Sequence, residues 1–183
     1  MTQIDYGIPN PLEQRVKTDE KFLDVKTFLL AVSNRFNLSL IMDQNLRSQY
    51  KRVKGYTVKQ VLDNYFQDTE FTYKLWNNCL FIAPPERLDN FFEKLPVDTT
   101  LLPDGKGAHI TLSGVFSGIQ ISEFCKILRK TTGVEVRPEL NLRKNLVLRL
   151  FKMPWKTVLI ALVRLNNLEM IRSEFSIIIG ENK

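Results

Sequence analysis

The tetrapeptide KQVL at residues 59–62 returns as KTVL at 156–159, 97 positions further on. The surroundings follow at the same offset: Tyr56 falls on Met153, Phe66 on Val163, Phe71 on Leu168 and Ile82 on Ile179. Upstream the match continues at offset 96, with Phe28 on Phe124, Val32 on Leu128, Leu38 on Val134 and Leu40 on Val136. The pair Asn45-Leu46 falls on Asn141-Leu142, so the one-residue change lies between Leu46 and Val53, at a turn or strand start where an insertion is tolerated. Apolar class is kept at nearly every aligned core position, as two copies of one folding unit require.

A chain of 183 residues suits two small domains. At 44% hydrophobic and 25% charged it has the balance of an ordinary globular protein. No apolar run approaches the roughly 18–20 residues of a membrane span. The first residues, MTQIDYGIPNPLEQ, lack a basic region followed by an apolar core, so no signal peptide is visible. That leaves a cytosolic chain or a fragment whose signal has been removed. The net charge of +6 is uneven: residues 87–183 carry 15 Lys and Arg against 10 Asp and Glu, the first half 11 against 10. A basic second half suits an acidic partner, whether protein, nucleic acid or lipid headgroup, although a solvated surface is the plainer reading. Two cysteines, Cys79 and Cys125, do not make a disulfide framework and fall at inequivalent repeat positions. Both sit in apolar patterns and read as small buried hydrophobes.

Periodicity predicts the same element order in each copy. A short strand is expected at 15–18. Val25, Phe28, Leu29, Val32 and Phe36 then form one helical stripe, capped by Asp24 and ended by Asn37. Leu38, Leu40 and Met42 alternate as a strand, and 50–53 should be another. Thr57 caps a helix with the face Val58, Val61, Leu62, Tyr65 and Phe66. Strands at 71–75 and 79–82 turn at Asn77-Asn78. Pro84-Pro85 opens a linker helix with Leu88, Phe91, Phe92 and Leu95 on one side, and 96–107 reads as a flexible joint. In the second copy Ile110 and Leu112 form a strand. Ile121, Phe124, Cys125 and Leu128 form a helix face that Gly133 stops, and Val134 and Val136 form a strand. The stretch 146–151 is apolar enough to predict burial on both faces. Pro154 starts a helix with the face Trp155, Val158, Leu159, Leu162 and Val163, and a hairpin around Ser173-Glu174 closes the chain. The expected fold is α+β: two tandem βαββαββ-type domains, each with two helices on small mixed sheets, at 14–83 and 108–180. Residues 84–107 link them.

The order of elements, with (Gly/Lys)-x-(Thr/Pro)-x-Lys-x-Val-Leu opening the second helix and a hairpin ending each copy in an Ile-rich strand, resembles the short N-terminal domain shared by bacterial secretins and TonB-dependent receptors. The closer match is KGYTVKQVLDNYFQDTEFTYKLWNNCLFI at 54–82, and 153–179 also fits. The resemblance implies a non-catalytic module that stands in the periplasm on an outer-membrane complex, stacks in homo-oligomeric rings and contacts other proteins of a secretion or pilus machine. In the receptors the equivalent domain binds an anti-sigma regulator, which is the alternative reading. Neither a secretin pore domain nor a receptor barrel is present in these residues, so the chain looks like an N-terminal fragment or a small accessory protein.

No catalytic chemistry is expected, and no metal, cofactor or small-molecule substrate. His109 is the single histidine, which excludes a His-based triad or multi-His metal site within one chain. No CxxC, P-loop or dinucleotide fingerprint occurs. Arg137, Arg143 and Lys144 cluster about one turn, with Arg129 and Lys130 at a nearby helix end, and such clusters attract phosphate. A KH-like nucleic-acid binder would need a Gly-x-x-Gly loop between its helices, and neither copy has one. The candidate protein-contact residues are therefore Phe91 and Phe92 on the linker helix and Arg137, Arg143 and Lys144 on the basic turn. Open edge strands are a further candidate.

Overall fold

The local signals are realised first. Asp24 Oδ2 accepts from Lys26 N (3.1 Å) and Thr27 N (3.3 Å), satisfying two of the free donors at a helix start. Thr57 and Gln60 form a reciprocal capping box. Asn37 (φ 51°) and Gly133 (φ 74°) occupy the left-handed conformation at equivalent helix ends. Asn77 (φ 46°) and Asn78 (φ 56°) make the tight hairpin turn that two left-handed residues favour.

The computed structural model describes residues 10–107, 109–172 and 176–182. A turn of 3-10 helix at Pro11–Glu13 leads to β1 (Phe22–Asp24), α1 (Val25–Arg35), β2 (Ser39–Met42), β3 (Tyr50–Arg52), α2 (Val58–Phe66), β4 (Thr72–Trp76) and β5 (Cys79–Ala83). Next comes α3 (Pro85–Leu101). Then follow β6 (Thr111–Gln120), α4 (Ile121–Thr132), β7 (Glu135–Pro138), β8 (Asn145–Pro154), α5 (Trp155–Leu165), β9 (Leu168–Arg172) and β10 (Ser176–Glu181). The protein is α+β, and the order βαββαββ is read once on each side of α3.

Strand pairing repeats as well. In the first half β5 lies between β4, antiparallel, and β2, parallel; in the second β10 lies between β9, antiparallel, and β7, parallel. The register carries over at the sequence offsets. Ser39 pairs with Cys79 as Glu135 pairs with Ser176, and Tyr73 with Ile82 as Met170 with Ile179. The turns agree too: Asp43 N donates to Ile82 O (2.8 Å) where Glu139 N donates to Ile179 O (2.9 Å). The first and third strands of each half also match, since β1 pairs with β3 and β6 with β8, both antiparallel.

One contact breaks the equivalence. β8 also pairs antiparallel with β2, at Leu40–Arg149 and Ile41–Leu148, so strands from both halves form one five-stranded sheet in the order β4-β5-β2-β8-β6. Its two inner first-half strands, β2 and β5, are buried on both faces. Leu40, Met42, Leu80 and Ile82 join a core with α1 and α2, while Ile41, Cys79, Phe81 and Ala83 join a second core with α3, α5 and the rest of the second half.

Several expectations need correction. The residues 146–151 are not buried on both faces: along β8 exposure alternates, with Leu146, Leu148 and Leu150 inward. The burial expected there belongs to α5, where Trp155 through Val163 are all inside. Residues 96–107 are not a joint throughout, because α3 runs through Pro96 to Leu101. The missing amide of Pro96 is outweighed by docking on α5, a tertiary override of local propensity. The strand expected at 15–18 is a single bridge from Arg15 to Thr57, and the strand expected at Ile110 and Leu112 extends to ten residues as β6. The turn at Ser173-Glu174 lies outside the described residues.

Candidate functional site

The two phenylalanines of the linker helix are drawn inward. Phe91 is 0% exposed and packs on Phe81 at 5.1 Å between ring centroids, so it is a core residue and not a surface contact. Phe92 is half-buried, set edge-on against Trp76 (5.6 Å) and Phe81 (5.5 Å), with Lys74 Nζ 4.1 Å from its ring centroid. These contacts seal α3 onto the β4–β5 hairpin; the lysine covers the aromatic face that would otherwise be open.

The basic residues divide between the two ends of α4. At its start, Ile121 N donates to Lys144 O (2.8 Å), which places the 139–144 turn beside the helix N-terminus. Arg143 is exposed there and Lys144 half-buried, while Arg137 is exposed on β7. None of the three makes a side-chain hydrogen bond or ion pair among the described residues. At the other end, Lys106, Lys126, Arg129 and Lys130 line a shallow cleft of about 520 Å³. Lys106 Nζ caps the helix through Lys130 O (3.3 Å), and Arg129 pairs with Glu135 (3.1 Å). A helix of twelve residues is about 18 Å long, so turn and cleft are two separate positive surfaces rather than one.

Scanned against protein-family models and compared with curated proteins, the chain matches none.

Inside, three polar anchors tie α3 and its C-terminal end to the two halves, and sequence reading did not find them. Lys156, the first residue of the second KTVL copy, is 9% exposed and donates from Nζ to Leu102 O (2.7 Å), Thr99 O (3.4 Å) and Asp104 Oδ1 (2.6 Å), closing the C-terminal carbonyls of α3. Asp98 on α3 accepts from Arg164 Nη2 (2.8 Å) on α5 and Arg172 Nη2 (3.2 Å) on β9. Asp43, in the turn after β2, is ion-paired with Arg87 on α3, and Gln44 N donates to Asn166 Oδ1 at the end of α5 (3.0 Å). Burial raises the Asp43 carboxyl above its ordinary pKa, against the opposing pull of Asn45 N and Arg87. Across the sheet joint, Arg149 on β8 donates to Ser33 O (2.9 Å), Leu38 O and Asn34 Oδ1 (3.3 Å), clamping the C-terminal end of α1.

His109 is exposed, and among the described residues no three His, Cys, Asp or Glu side chains are grouped to hold a metal. Cys79 and Cys125 are buried free thiols. Burial pushes both up, Cys125 to about 12, so neither ionises near neutrality. No helix among the described residues is long and apolar enough to cross a membrane.

The sheet edges differ sharply. β4, at one end of the five-stranded sheet, has five residues including Lys74; β6, at the other, has ten, TLSGVFSGIQ, with no charge and no proline. Natural edges are normally short, charged or interrupted; β6 has two register shifts against β8 but neither of the other two safeguards.

Proposed function

We propose that this chain is a non-catalytic protein-contact and ring-assembly module of an outer-membrane secretin-type secretion or pilus complex, working in the periplasm. The observation that carries the reading is the twofold repeat of order, pairing and register. It supports two copies of one small domain of the kind seen near the N-termini of secretins and TonB-dependent receptors. Domains at 14–83 and 108–180 with the connector at 84–107 are the natural division, although the halves share a sheet. The surface offered to partners is the unpaired basic turn at Arg143 with Arg137 and Lys144, and Phe92 contributes from inside by fixing α3.

Site-specific photo-crosslinking from position 143 in the native host tests the proposal. Adducts with the channel or inner-membrane proteins of a secretion or pilus system are expected. An adduct with an anti-sigma regulator would move the assignment to receptor signalling. Crosslinks to nucleic acid would overturn both readings.

A further inference from the structure

The open edge of β6 carries a more specific consequence. β6 and β8 are ten residues long where their first-half equivalents, β1 and β3, have three. The extra length of β8 is partly explained by its second neighbour, β2. β6 has no second neighbour among the described residues. Its outward side chains are Thr111, Ser113, Val115 and Ser117, with Val115 66% exposed at the centre. Register shifts at Leu112/Gly114 and Ser117/Ile119 bracket a regular stretch from Gly114 to Ser117.

The geometry points to a second copy of this chain as the occupant of that edge, β6 pairing antiparallel with β6 across a twofold axis at Val115. In that register Val115 faces Val115 and Ser113 faces Ser117, so from 113 to 117 the outward row reads Ser-Val-Ser in either direction, and beyond it Thr111 meets Ile119. β-branched and hydroxyl pairs of this kind are favourable across antiparallel strands. The absence of charge from Thr111 to Gln120 means that no like charges meet at the axis, and a twofold contact closes on itself without a second complementary surface. The only other end of this sheet, β4, is half as long and carries Lys74, which disfavours joining β6 of one chain to β4 of the next; this edge contact is separate from the head-to-tail surfaces that the ring proposed above would need. The molecule already joins its two halves by the same device, antiparallel edge pairing of β2 with β8. The proposed pair extends that sheet across two chains.

Sedimentation equilibrium over a dilution series, combined with cysteine crosslinking at position 115, tests this. The unmodified chain is expected to reach twice the monomer mass. Val115→Lys changes a surface residue and is expected to give a monomer with an unchanged circular dichroism spectrum. Val115→Cys is expected to form an intermolecular disulfide on mild oxidation, because directly opposed residues sit about 5 Å apart, within disulfide reach. The native cysteines are buried and do not compete. A monomer at every concentration overturns the proposal. So does a dimer that survives Val115→Lys and does not crosslink through Cys at 115, which would place the contact elsewhere. A ladder of higher oligomers would instead indicate head-to-tail joining of β6 to β4, and would overturn it too.

Discussion

Lys59 and Lys156 begin the two copies of the same tetrapeptide and do different work. Lys59 lies on the solvent side of α2, bound to Asp63 one turn later (2.6 Å). Lys156 is enclosed and holds the end of α3. The neighbours diverge in the same sense: Asp63 and Asn64 of α2 correspond, at offset 97, to the buried Ile160 and Ala161 of α5. Lys156→Met is therefore expected to destabilise the protein by about 1–3 kcal/mol, since it strips buried carbonyls and Asp104 of their donor. Lys59→Met removes an exposed pair, and such pairs contribute only about 0–1 kcal/mol. Urea melts of the two variants measure the contrast. The lysine of KTVL was legible as part of a repeat but not as an internal anchor, because its partners lie in the connector at 99–104, where no periodic signal reaches.

At the scale of elements, caps and turns were legible because each is set by two or three adjacent residues: Asp24, Thr57, Asn37, Gly133 and Asn77-Asn78 all act where the sequence puts them. Elements whose form depends on distant contacts were misread. The run at 158–163 offered a continuous apolar signal that was reduced to one stripe, whereas the outer side of α5 is covered by α3 and the first-half sheet. The proline at 96 suggested a break that docking overrides. It still costs the helix an amide bond and crowds the carbonyl of Phe92. Pro96→Ala is expected to raise stability by about 1–3 kcal/mol, since proline in a helix interior is some 3 kcal/mol worse than alanine and part of the gain returns to a more flexible unfolded chain. Thermal denaturation would register it as a higher midpoint. Phe91 shows the same limit for the candidate site: its i, i+3, i+4 spacing marks an apolar face, but only the fold says whether that face meets the chain itself or another protein.

For the whole molecule, the repeat at 96–97 residues gave the architecture to within register, yet not the fusion of the halves into one sheet. Pairing between β2 and β8 rests on two residues of each, too short a stretch to leave a sequence signature. The fusion predicts a single cooperative unfolding transition, with fluorescence of Trp155 and Trp76 and far-ultraviolet dichroism tracing one curve. Residues 14–83 expressed alone are expected to aggregate or remain unfolded, since Ile41, Cys79, Phe81 and Ala83 would lose their covering; a folded, monomeric fragment would contradict this. The same joint sets an order of events at the ribosome. The first half is synthesised complete while β2 still lacks the neighbour that β8 will supply at Leu148 and Arg149, more than 100 residues downstream. During that interval a naked strand edge and a wet apolar sheet face are exposed together, the combination that draws incomplete chains to one another. Slowing translation between codons 84 and 155 should therefore lower the soluble yield, and a holding chaperone bound to the nascent chain should restore it.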